Sequence, residues 1–133
     1  MPNIILPVAK TIYVCDDVVR DPVSGKVSVL NIWETARVKQ FPFVLGKLCV
    51  FAQFRGGLGE VPFCIEIAHA DTGDLIPISA RFIVSFKDRI TRVDVKCNLT
   101  RVVFLSPGTY IVSMYCNEEF VDDQPIRVLL AQP

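Results

Sequence analysis

The chain has 133 residues, 51% hydrophobic and 21% charged, with a mean hydropathy of +0.42. That length and apolar content describe one domain, residues 1–133, able to bury roughly two-thirds of its unfolded surface, and they exclude a disordered chain. Fourteen Lys and Arg balance fourteen Asp and Glu, so no global charge draws the chain to nucleic acid or to an anionic membrane.

In MPNIILPVAK no basic residue precedes the apolar run and Pro7 interrupts it, a pattern that predicts no secretory signal. No stretch approaches the ~20 uninterrupted apolar residues of a membrane helix. Beyond this segment, apolar positions alternate or cluster in runs rich in Val, Ile and Phe, divided by Gly, Pro, Asp and Asn, without helical periodicity. Strands are predicted at 11–15, 26–33, 45–55, 62–70, 75–86, 89–98, 101–105, 109–117 and 126–131. DDVVRDPVSGK, FRGGLGEVP, ADTGD, SPG and NEEFVDDQP read as the loops and turns between them.

In 26–33, Val27, Val29 and Trp33 share one side, which makes Trp33 a structural residue over a core. In 89–98, Thr91, Val93, Val95 and Cys97 face one way and Arg92, Asp94 and Lys96 the other, so one face is wet. Eight or nine such strands must stack as two sheets or close as a barrel. The expectation is an all-β fold, an antiparallel β-sandwich, immunoglobulin-like or related. SPGTYIVSMYC sharpens it: a Pro-Gly turn with Gly108, then a strand led by Tyr110, is similar to the tyrosine corner of immunoglobulin-like sandwiches. An ordinary hairpin carrying a tyrosine is the other reading. In the closing run, Ile126, Val128 and Leu130 are expected to face the core and to complete a hairpin with 109–117.

The five cysteines, Cys15, Cys49, Cys64, Cys97 and Cys116, are odd in number, widely spaced and without a CxxC pair. They are expected to be reduced core thiols of a cytoplasmic protein, not a disulfide framework or a zinc site. His69 is the only histidine. It lies five positions from Cys64 on one strand, so the two face opposite ways, and no nucleophile motif accompanies it. FRGGLGE lacks the Gly-Lys-Ser/Thr ending of a phosphate loop and reads as a flexible hairpin loop.

Asp16, Asp17 and Asp21 fall in the first long loop and Glu118, Glu119, Asp122 and Asp123 in the last. Oxygen-rich loops of this kind are where a hard cation would bind, and Asp16, Asp17 and Asp21 are the candidate ligands. Turn formation and solvation account for the same residues without a metal. Arg81, Lys87, Arg89, Arg92, Lys96 and Arg101 make a basic stretch without exposed aromatics for base stacking, which argues against nucleic acid. Arg89, Arg92 and Lys96 are its candidate interaction residues, either protecting a sheet edge or meeting an acidic partner.

The segment YVCDDVVRDPVSGKVSVLNIWE, the Phe41-Pro42 pair and the closing SPGTYIVSMY and PIRVLL together resemble a family of short bacterial proteins catalogued as a domain of unknown function. Cys15, Asp16, Asp17, Gly25 and Lys26 carry the resemblance most specifically. It implies a bacterial cytosolic origin and a sandwich-like fold, and it brings no activity. The sequence as a whole points to a non-enzymatic protein-interaction or assembly module without a cofactor, whose partner is another protein or a second copy. The alternative is a sandwich that binds a small ligand or a divalent cation through its acidic end loops or the mouth between its sheets.

Overall fold

The computed structural model describes residues 4–78 and 80–132, and these form nine strands and no helix. In chain order they are β1 (Val8–Arg20), β2 (Val27–Ile32), β3 (Thr35–Val38), β4 (Phe43–Arg55), β5 (Gly59–His69), β6 (Arg81–Phe86), β7 (Val93–Phe104), β8 (Gly108–Cys116) and β9 (Glu119–Leu130). They make two sheets, ordered β2-β1-β4-β7 and β3-β9-β8-β5-β6. Neighbours are antiparallel except β3, which runs parallel to β9.

Alternation explains the strands. In β8, Tyr110, Val112, Met114 and Cys116 are buried while Ile111, Ser113 and Tyr115 are half-exposed. The buried sides of both sheets meet in one cluster. Leu48, Val50 and Phe54 enter it from the four-stranded sheet and Phe63, Ile65, Ile67, Met114 and Ile126 from the five-stranded one. Phe54 meets Phe63 edge-on at 5.1 Å across the two sheets, a favoured geometry for aromatic rings. Each such side chain, fully buried, stabilises the fold by about 1.5–3 kcal/mol.

A second, smaller cluster lies on the other side of the four-stranded sheet: Cys15, Val18, Cys49 and Phe51, with Tyr13, Val27 and Val29 packed on it. Leu48–Ala52 is therefore buried on both faces, which is why LCVFA reads as a continuous apolar run.

Several sequence expectations need correction. Strand β1 continues through Asp16 and Asp17 to Arg20, because the β-branched pair Val18-Val19 registers with Val29 and Ser28 of β2. The run 75–86 yields a strand only from Arg81; Pro77 has no N–H to donate, and Leu75 makes an isolated bridge to Ala68. The runs 89–98 and 101–105 are one strand, β7, which absorbs Arg101 at φ 54° without ending. Strand β9 begins at Glu119, because Asn117 and Glu118, both at positive φ, make a two-residue hairpin turn. FRGGLGE is no flexible hairpin loop. It crosses from one sheet to the other, and a Cβ on Gly57 would lie 2.9 Å from the Phe86 ring. Strand β3 was not foreseen; it covers β9, so the closing strand lies inside its sheet. Leu130 is 48% exposed, unlike the buried Ile126 and Val128.

Candidate functional site

Strand β5 ends at His69 in a tight turn. Gly73 N–H donates to the His69 carbonyl at 2.8 Å and His69 N–H to the Asp74 carbonyl at 2.9 Å. Past the turn, Leu75, Ile76 and Pro77 run back beside β5, while Val103 and Leu105 close the end of β7. Between these segments opens a cleft of about 310 Å³, lined chiefly by His69, Leu75, Pro77, Val103, Leu105 and Tyr110. Leu75 and Leu105 are 59% and 75% exposed, apolar side chains held open to water on both sides of one concavity.

The cleft is built on Tyr110. Its hydroxyl donates to the Ser106 carbonyl at 2.6 Å, and its ring meets Phe104 and His69 edge-on, each at 4.9 Å. His69 is clipped in place by backbone on both nitrogens: Nδ1 accepts from Asp71 N–H at 3.2 Å, which leaves the proton on Nε2, 3.3 Å from the Pro107 carbonyl. Gly108 makes this approach possible. It sits at φ 147°, and a Cβ there would lie 2.6 Å from His69 Nε2.

The acidic candidates do not converge. Asp16 Oδ1 accepts the Trp33 indole N–H at 2.8 Å and its Oδ2 the Asn31 amide at 2.9 Å. Asp17 Oδ1 lies 2.8 Å from Lys96 Nζ and 3.2 Å from Lys47 Nζ, and also accepts Val18 N–H. The Lys96 hydrogen bond first, then Val18 N–H and Lys47, hold the Asp17 carboxyl well below the usual range, and Asp17 raises Lys96 in return. Asp21 Oδ1 caps the turn, accepting Ser24 N–H and Val23 N–H, which lower its pKa in that order. Among the described residues no three His, Cys, Asp or Glu side chains gather as a metal site.

The basic candidates are bound within the chain. Lys96 also donates to the Val18 carbonyl, Arg92 pairs with Asp94 at 3.0 Å, and Arg89 Nε reaches the Gly56 carbonyl at 3.3 Å. Arg20 completes a second contact to Asp94 at 3.1 Å. The six basic residues are divided between the two sheets and the crossover joining them. Strand β7, which carries Lys96 and Arg101, is an edge of its sheet.

Trp33 packs against the main core while Val27 and Val29 pack on the second cluster, so the three do not share a face. Asn31, at φ 53°, lies between them and interrupts the alternation. Cys15 and Cys49 face each other across β1 and β4, a pairing their separation in sequence conceals. Burial first, then the neighbouring Cys49, pushes the Cys15 thiol up to about 12. Sequence reasoning also passed over Leu75 and Leu105; their one local signal is a leucine directly beside a turn motif, ADTGD-Leu75 and Leu105-SPG.

A comparison with curated proteins finds no sequence match to the chain. Over residues 10–129 it matches the family of unknown function DUF6941, and the chain belongs to that family.

Proposed function

We propose that the protein is a non-catalytic binding module, a β-sandwich of bacterial cytoplasmic origin whose cleft between Leu75 and Leu105 receives an apolar side chain from an extended segment of a partner protein. The observation that carries this reading is the cleft itself: two open leucines facing across a floor fixed by Tyr110 and His69. Its volume lies at the low end for ligand sites, enough for one or two side chains. A floor already held by hydrogen bonds at Tyr110 and His69 loses little entropy when the cleft is filled. The absence of catalysis in this reading is supported by His69, the only histidine, whose two ring nitrogens are both occupied by backbone. Such an imidazole has no free nitrogen with which to act as a base. The facing sheets and the Tyr110 to Ser106 bond support the sandwich, and the unpaired cysteines support a reducing compartment.

Selection from a phage-displayed peptide library tests the reading. Enriched peptides should share an apolar anchor, and their binding should fall at least tenfold in Leu105→Asp or Leu75→Asp. Peptides that bind these variants unchanged, or no enrichment at all, would contradict it. Binding of small apolar molecules without any peptide would favour a small-ligand site instead.

A further inference from the structure

Among the described residues four strands end the two sheets: β2, β7, β3 and β6. An edge left open invites another strand, and natural sheets blunt it with charge, bulges, Pro or shortness. Three of the four edges here are blunted. Strand β2 contains the left-handed Asn31, β7 carries Lys96 and the left-handed Arg101, and β3 is four residues long with Arg37 in it. Strand β6 is different: its one charge, Arg81, stands at its first position, and the remainder, Phe82 to Phe86, reads FIVSF without Pro or Gly and holds Ile83 67% exposed.

The backbone of β6 points its free groups in a defined direction. Ile65 N–H donates to the Ala80 carbonyl at 3.0 Å, and this pair continues the register Phe63↔Phe82 and Val61↔Val84. Antiparallel ladders alternate, so even-numbered residues of β6 bond to β5 and Arg81, Ile83 and Ser85 aim their N–H and C=O groups away from the sheet. Pro62, opposite Ile83, fits this alternation because its missing N–H is not needed there.

We infer that a second copy of this chain occupies the β6 edge, pairing antiparallel about a two-fold axis at Ile83 and joining the two five-stranded sheets into one. Two-fold pairing must bring outward-facing residues together, and the axis at Ile83 gives the greatest overlap. Ile83 then exchanges two hydrogen bonds with its counterpart, and Arg81 and Ser85 exchange two more on each side. Arg81 meets Ser85 and not another Arg81, so no like charges oppose each other. The exposed Ile83 is covered by its twin, and Phe82 lies opposite Val84.

Sedimentation of the full chain across the micromolar range should show a dimer. Ile83→Pro should be monomeric with an unchanged circular dichroism spectrum, because proline is tolerated on an edge whose N–H faces solvent. Ile83→Lys is the second variant should the first not fold. In a Cys64→Ser background, Ile83→Cys should cross-link to itself with oxidised glutathione, since facing Cα atoms would stand about 5.5 Å apart. Ser85→Cys, facing Arg81, should not. A monomer at every concentration, a dimer that survives Ile83→Pro or Ile83→Lys, or cross-linking that favours Ser85→Cys would overturn the inference. Leu105→Asp should leave the dimer intact, so failure here and failure of the cleft reading are separate results.

Discussion

Asp16 and Trp33 are joined by a hydrogen bond of 2.8 Å from the indole N–H to a carboxylate oxygen. An acidic residue that resembles a cation ligand in sequence instead fixes the side chain at the passage from one sheet to the other, since β2 and β3 flank Trp33 and belong to different sheets. Asp16→Ala should cost about 1 kcal/mol, the usual net worth of such a bond at a surface. Trp33 is the only tryptophan, so its emission reports the change directly. A red shift and a lower urea midpoint are expected; an unchanged spectrum would remove Asp16 from this role.

Gly108→Ala should destabilise the protein by about 2–3 kcal/mol, combining an unfavourable backbone region with a side-chain collision. The proposed collision is with His69 Nε2, 2.6 Å from the added Cβ. Adding His69→Ala should therefore recover part of the loss in thermal melts, while the backbone component persists. Simple additivity of the two substitutions would contradict the contact.

The ion pairs of Asp17 predict an acid-dependent stability. The native carboxyl is depressed by Lys96, Val18 N–H and Lys47. Stability from it is therefore present above the unfolded value of about 4 and is lost as pH falls below that toward the native value. Urea midpoints of the wild type should fall more steeply below about pH 4 than those of Asp17→Asn. Parallel curves would show that the pairs contribute nothing.

Thiol reactivity should divide the cysteines by burial. Cys15, Cys49 and Cys116 are buried, and burial pushes Cys15 and Cys116 up to about 12. The thiolate is the reactive form, so at pH 8 these three should be modified only after unfolding, and the half-exposed Cys64 should react first. Peptide mapping after brief alkylation reads this out. Rapid labelling of Cys15 or Cys116 in the native state would contradict it.

The all-β class was legible because alternation survives wherever a strand has one buried face, as in Val93, Val95 and Cys97 against Asp94 and Lys96. The cleft was not legible. Leu75 and Leu105 are distant in sequence and share no pattern; only the turn after His69 and the crossover before Tyr110 bring them to one concavity. Asp16 and Asp17 misled for a related reason: acidic pairs commonly mark loops, yet Val18 and Val19 carry the strand past them. Strand β3 is four residues with one buried side chain, Val38, too short for a period to show. Trp33 packs on a core as its sequence predicts, but not on the face of Val27 and Val29, because left-handed Asn31, invisible in the hydrophobic pattern, resets the alternation before it.

Methyl-resolved NMR of the full chain with a peptide selected on it tests the binding reading most directly. Shifts should be largest at the methyl groups of Leu75, Ile76, Val103 and Leu105, which line the cleft, and should vanish with Leu105→Asp. Shifts centred on any other surface, with the methyl groups of these four residues unmoved, would contradict the account.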